Sequence, residues 1–303
     1  MNKADKKIVS AKTKRIRRIV IACMIIVVLI LIALGFTMKT EKYSLSSDKI
    51  DGGLTIVFIS DLHNCFYGGS DQSGLWEEIE NVSPDLVLFG GDVIDEYGGT
   101  ENALKIMEMA AENYPCCYTP GNHEQWRDDL AQFKADVRAL GIRVLEGECA
   151  KFTLGGNKVA VYGILDSIAY GSKATQLDEC IAQTDEEYYN ILLAHQPEQI
   201  DACLGLDGNE VYESGGNPDS AVENAPFDLI LSGHAHGGQW RIPVVLEQGV
   251  LAPDQGLFPP YTNGIYDYGS AVHIISRGLA RPLRMIIIPR IFNRPEFTVI
   301  EVE

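Results

Sequence analysis

The chain has 303 residues, 46% of them hydrophobic and 22% charged, with 29 glycines and 13 prolines. That is a globular composition, which excludes a collagen, a coiled-coil rod and a mainly disordered chain. Charge is divided unevenly: residues 1–50 hold 11 Lys/Arg against three acids, whereas residues 51–303 hold 14 against 39. So acidic a body argues against a nucleic-acid polymer as partner, because no surplus of cations is left to displace counterions. Phosphate ligands held through metal ions stay open, since carboxylates are what such metals need.

The first segment reads as an address. Residues 1–18 carry Lys3, Lys6, Lys7, Lys12, Lys14, Arg15, Arg17 and Arg18, and residues 19–38 form a charge-free run of 20, mostly Ile, Val, Leu, Ala and Met. As a helix rising ~1.5 Å per residue, such a run reaches about 30 Å, the thickness of a bilayer's hydrocarbon core. The positive-inside rule then leaves residues 1–18 in the cytoplasm and everything after Met38 outside, as a single-pass membrane protein. A cleaved signal peptide, cut after Ala33-Leu34-Gly35, is the rival reading. Residues 39–52 read as a short polar linker, and residues 53–303 as one α/β domain.

Within that domain, residues 54–60 (LTIVFIS), 85–89 (DLVLF), 116–119, 158–164 (KVAVYGI), 190–194 (NILLA) and 227–232 (FDLILS) have the continuous apolar character of buried strands. Leu104, Met107 and Ala111 recur at helical spacing, as do Trp126, Leu130, Phe133, Val137 and Leu140. Residues 205–226 are rich in Gly, Asn and acids and read as a solvated loop insertion. Residues 284–288 and 297–302 close the chain as β-like runs. The seven cysteines follow no metal-binding or disulfide-scaffold spacing, and Cys65 lies beside the chemistry described next.

Polar residues collect after the strands. The first strand ends in Asp61-Leu62-His63, the second in Gly90-Gly91-Asp92-Val93-Ile94-Asp95, and the third in Gly121-Asn122-His123-Glu124. The fifth ends in His195, and the sixth in Gly233-His234-Ala235-His236-Gly237-Gly238. Ligands of open α/β sheets bind beyond the carboxyl ends of strands, so these segments are expected to converge. Five of the six histidines fall in them; His273 does not and reads as structural. Carboxylate, imidazole and one amide oxygen, without clustered thiols, suit divalent metals such as Mn, Fe, Zn or Co. Asp61 and His63, like His234 and His236, are two apart, so in extended chain their side chains leave the same face.

The ordered blocks D-x-H, G-D-x-x-D, G-N-H-[DE], a lone His and G-H-x-H resemble the calcineurin-like metallophosphoesterase superfamily. Segments such as Ala252-Pro253-Asp254-Gln255-Gly256, Ser276-Arg277-Gly278-Leu279 and Phe292-Asn293-Arg294-Pro295-Glu296 are similar to its bacterial membrane-anchored or exported branch. The resemblance implies a four-layer α/β/β/α sandwich carrying two divalent metal ions. It makes Asp61, His63 and His236 ligands of one metal and Asn122, His195 and His234 ligands of the other, with Asp92 bridging both. His123 corresponds to the histidine that faces the phosphate, and Asp95 to the acid that orients it. The insertion at 205–226 sets the fourth and fifth blocks further apart than the family pattern.

The expected activity is hydrolysis of phosphodiester or pyrophosphate bonds by metal-activated water, on a substrate that a membrane tether would favour being lipid- or envelope-linked. Gln239, Trp240, Phe258 and Tyr261 are candidates for the pocket wall. The alternatives are a phosphomonoesterase, a catalytically silent binding module on the same fold, and a two-metal enzyme acting on a non-phosphate bond, such as an aminopeptidase.

Overall fold

The computed structural model describes residues 3–165, 172–206, 222–282, 284 and 289–303; the side chains of residues 3–12, 31–33 and 172–174 are outside the description. Most of the insertion expected at 205–226, and most of the β-like run expected at 284–288, therefore lie outside the described residues.

Helix α1 spans Lys3–Leu34. It carries residues 19–34 of the apolar run, about 24 Å at ~1.5 Å per residue, and ends at Gly35, whose φ of 54° leaves the helical region. Residues 35–38 are thus not helical. Among the described residues, no helix is long and apolar enough to cross a membrane.

The polar segment expected as a linker instead contains strand β1, Lys39–Leu45. It is followed by β2 (Leu54–Ile59), β3 (Leu86–Gly90), β4 (Cys116–Thr119) and β5 (Arg143–Val144). Next come β6 (Glu148–Leu154), β7 (Asn157–Ile164), β8 (Tyr189–Ala194) and β9 (Leu229–Ser232). A small hairpin, β10 (Leu251–Ala252) and β11 (Gly256–Leu257), precedes β12 (Gly264–Asp267), β13 (Val272–Ile275) and β14 (Glu296–Val302). One six-stranded sheet has the order β1-β14-β2-β3-β4-β5 and the other β12-β13-β9-β8-β7-β6. Lys39, Glu41 and Lys42 made β1 look like a linker, but it is an edge strand, pairing in parallel with β14, where charged side chains meet water.

Side-chain alternation sorts the strands into layers. Ile56, Phe58, Leu86, Leu88 and Ile300 point inward from the first sheet and meet Val159, Val161, Ile191, Leu193, Leu229 and Leu231 from the second. The opposite face of the first sheet, with Val57, Ile59, Val87, Phe89 and Tyr118, is covered by three helices. These are α2 (Ser73–Val82), α3 (Glu101–Asn113) and, after the short α4 (Asn122–Gln125), α5 (Leu130–Ala139). The outer face of the second sheet, with Ala160, Tyr162, Leu192 and Ile230, packs on α6 (Ser172–Ile181) and α7 (Ile200–Cys203). The layering is α/β/β/α. β2, β3 and β4 are parallel neighbours, as are β8 and β9, and because Gly90 at the end of β3 meets His195 just past β8, these carboxyl ends open on the same edge of the sandwich.

Candidate metal centre

The loop after β2 is tied to the loop after β3 by backbone bonds: Asp61 N–H donates to Gly91 O at 3.0 Å, His63 N–H to Asp92 O at 3.0 Å and Asn64 N–H to Val93 O at 2.8 Å. A second tie comes from Glu124. Its fully buried carboxylate accepts from the backbone N–H groups of Asp92 (2.8 Å), Ile94 (3.0 Å) and Gly121 (2.8 Å), clamping the ends of β3 and β4 together. Asp92 Oδ1 in turn accepts from His123 N–H at 2.9 Å, and Asp61 Oδ1 accepts from His234 N–H at 2.9 Å. With Gly233 N–H donating to His195 O at 3.0 Å, the five segments that end at the strands' carboxyl edge are one hydrogen-bonded unit.

Two groups of side chains result. Ligand atoms of Asp61, His63 and His236 lie within 4.8 Å of one another, and so do those of Asp92, His195 and His234. Asp92 stands between the groups: its Oδ2 is 3.1 Å from His195 Nε2 and 3.9 Å from His63 Nε2. Asp61 Oδ1 is 3.8 Å from His236 Nε2 and 4.0 Å from His195 Nε2. Asn122 opens α4 with its side chain buried. All seven residues expected as ligands are brought to one place.

The local backbone is bent toward this centre. Asp61, His63, Asp92, His234 and His236 all have φ between 46° and 65°, a region that non-glycine residues enter only at a cost of order 1–3 kcal/mol each. Space is equally constrained. A Cβ at Gly233 would lie 2.3 Å from Asp61 Oδ2, and one at Gly121 would lie 2.3 Å from Asp92 Oδ1.

Ring orientation follows from second partners. His195 Nδ1 donates to Gly90 O at 2.7 Å, which puts the lone pair on Nε2, toward Asp92. His63 Nδ1 makes a short contact with Asp95 Oδ1, so its Nε2 is likewise the bare nitrogen. His234 Nε2 donates to Asp254 Oδ2 at 3.0 Å. Asp61 Oδ2, His63 Nε2 and Asn122 Oδ1 are buried and have no hydrogen-bonding partner among the described residues. Buried polar atoms are rarely left so, and bare oxygens and imidazole nitrogens facing one centre are the donor set that divalent metals take. The residues fit the ions that the sequence pattern implies.

Electrostatics agree with that fit. Burial lowers the pKa values of His63 and His123, and burial together with the Arg290 charge lowers that of His236 far more, so these rings are neutral. Despite burial, which pushes it up, the Asp92 carboxyl is held well below the usual carboxylate range, chiefly by the neighbouring His195 ring. Burial and the Asp92 charge push Glu124 up to about 7.

Asp95 departs from the expectation. It lies 3.9 Å from His123 Nδ1, too far for a direct hydrogen bond, and pairs instead with His63 and with Arg284. His123 sits at the mouth, 23% exposed, edge-on to His63 with centroids 4.8 Å apart and 4.9 Å from the ring of Trp126. Trp126, expected on the buried stripe of a helix, is thus an exposed neighbour of His123 just after α4. His273, as expected, is in the core of β13, with Nε2 2.9 Å from Ser232 Oγ.

A cavity of about 640 Å³ adjoins His63 and is lined by Phe36, Asn64, Cys65, Phe66, Tyr97, Asn102, Arg281 and Arg284, among others. Gln239, Trp240, Phe258 and Tyr261 do not line it. Cys65 does, as a buried thiol whose Sγ accepts from Arg281 N–H at 3.5 Å; among the described residues all seven cysteines are free. Glu124 closes the G-N-H-[DE] block and Asp254 lies in Ala252-Pro253-Asp254-Gln255-Gly256, but neither segment marks which group these side chains contact, and Arg290 stands in no such segment.

Comparison with known proteins gives a consistent result. The calcineurin-like phosphoesterase family model matches residues 54–238. The protein YpbG of Bacillus subtilis is 30% identical over 262 residues, covering 84% of this chain and 85% of its own length. The metallophosphoesterase YkuE of the same organism is 28% identical, covering 84% and 82%. The phosphodiesterase YaeI of Escherichia coli is 25% identical, covering 81% of each.

Proposed function

Because the chain belongs to the calcineurin-like phosphoesterase family, and is a metal-dependent phosphoric ester hydrolase, we propose that it cleaves phosphodiester or pyrophosphate bonds at a two-ion centre held near a membrane. The observation that carries the two-ion reading is Asp92 Oδ2, which lies between the two groups of ligand atoms. One ion is assigned to Asp61, His63 and His236, the other to Asn122, His195 and His234, with Asp92 shared. When bound, such ions lower the pKa of water and neutralise phosphate charge. The diester preference is supported by the name of the relative YaeI.

The chain's own residues do the rest. Gly90 O and Asp95 hold His195 and His63 with their Nε2 lone pairs inward, and Glu124 holds the loops that carry Asp92 and Asn122. His123, neutral and partly exposed at the mouth, faces the phosphoryl group and stabilises the departing oxygen by hydrogen bonding. No side-chain nucleophile takes part, so no phosphoenzyme forms.

The tether we assign is the apolar run beginning at Ile19, whose helix ends at Leu34, with the N-terminus cytoplasmic and the catalytic domain outside the cell membrane. The apolar run and the eight preceding cations support it. A helical portion shorter than the bilayer is accommodated by local thinning and by Arg17 and Arg18 extending toward the headgroups.

The test is hydrolysis of a chromogenic phosphodiester and the matching monoester by the full chain, stripped and reloaded with Mn²⁺ or Zn²⁺, beside Asp92→Asn. Metal-dependent activity that favours the diester and is lost in the variant supports the proposal. A preference for the monoester overturns the substrate assignment.

A further inference from the structure

The cavity beside His63 is continuous with the end of α1. Phe36, two residues past Leu34, forms part of its wall. That segment is fastened to the domain: Arg294 donates from Nε to Thr37 O at 2.9 Å and from Nη2 to Met38 O at 2.7 Å. The chain leaving the apolar helix therefore runs directly against this cavity beside His63, with no free linker between.

The wall has two chemistries. Phe36, Phe66 and Tyr97 are 42%, 40% and 78% exposed, an aromatic group that water does not favour. Arg281 lies over the Phe66 ring, 4.5 Å from its centroid, and forms no ion pair among the described residues; its Nε is buried with no hydrogen-bonding partner there. Arg284 adds a second guanidinium on the Asp95 side. An aromatic trough with cationic groups at its neck, opening beside a phosphoesterase centre, has the chemistry of an amphiphile with an anionic head. Its volume of about 640 Å³ falls within the range of small-molecule pockets.

We infer that this cavity receives the alkyl arm of a lipid phosphodiester, the phosphate passing Arg281 to reach the metal centre. The inference rests on the phosphodiesterase reading and names its substrate class. Water's oxygen bonds to phosphorus, the P–O bond to the leaving alcohol breaks, and water's proton ends on that alcohol or in solvent.

The experiment uses the full chain in detergent micelles with two synthetic diesters, hexadecyl p-nitrophenyl phosphate and methyl p-nitrophenyl phosphate. The expected kcat/KM ratio, hexadecyl over methyl, is at least about tenfold, because each buried methylene adds to binding. Phe66→Ser and Phe36→Ser each reduce that ratio severalfold, and Arg281→Gln raises KM for the hexadecyl ester. Bound-metal content and thermal midpoint of each variant show that the centre is intact; where one variant fails to fold, the other carries the test. Equal rates for the two esters, or a preference that neither serine variant changes, would overturn the lipid inference while leaving the diesterase reading in place. If neither diester is cleaved but p-nitrophenyl phosphate is, the diesterase reading fails, and the lipid inference with it.

Discussion

His195 Nδ1 donates to the carbonyl of Gly90, the last residue of β3, at 2.7 Å. One strand end thus sets the tautomer of a ring that directly follows a strand of the other sheet. With the proton on Nδ1, Nε2 is left bare, 3.1 Å from the Asp92 carboxylate. A carboxylate oxygen and an imidazole nitrogen placed this way are a donor pair that a divalent ion would take, and Asp92 stands at the junction of both ligand groups.

Asp92→Asn is therefore expected to do more than slow turnover. It removes the charge that both ion sites share, so metal content by elemental analysis should fall below that of the parent, and activity should drop by at least about 100-fold. Retention of full metal content with full activity would remove Asp92 from the bridging role.

Asp95 contacts His63 directly and His123 only at 3.9 Å. If it orients His63, Asp95→Asn weakens metal affinity by roughly 10–100-fold, the usual cost of losing a partner behind a ligand. An orienting role on His123 predicts the opposite pattern, a lower kcat with metal affinity unchanged. Metal titration of the stripped protein, followed by activity at saturating metal, separates the two.

Glu124 accepts three backbone N–H bonds from two loops while fully buried. An amide in its place offers one acceptor and turns a donor toward another donor. Glu124→Gln should cost about 1–3 kcal/mol in urea unfolding and loosen the Asp92 and Asn122 positions together. Unchanged stability would show that the clamp is dispensable.

His273 provides a pH signature in the core. Burial lowers its pKa to about 3, against ~6.5 when unfolded. Above the unfolded value the ring is neutral in both states and this contribution to stability is complete. As pH falls below it, only the unfolded chain takes the proton, and stability drains by on the order of 1.4 kcal/mol per unit until the folded value is reached. The ring gains no relief from its surroundings: Nε2 faces Ser232 Oγ, which itself donates to Ala194 O, and Nδ1 has no hydrogen-bonding partner among the described residues. His273→Gln should flatten the loss of stability between pH 6 and pH 4. An unaltered slope would show that other groups govern it.

The strands and the chemistry were legible in the residue order because each has a local cause. Continuous apolar runs such as 54–59 and 189–194 are buried on both faces, so no alternation hides them, and the site residues follow where such strands end. The edge strand β1 was not legible, since a charged strand half in water has the composition of a linker. Helix α1 stops at Gly35 although the apolar run continues to Met38, because a left-handed glycine and the Arg294 contacts favour the turn into β1. Which residues meet is a matter of the tertiary structure alone. Asp95 contacts His63 and lies 3.9 Å from His123, Glu124 joins two loops, and Arg281 with Phe36 builds one cavity wall, across 245 positions of chain. Residue type and spacing determined the kind of chemistry; distance in space decided which group serves which, because hydrogen bonds and packing act over a few ångströms whatever the separation in sequence.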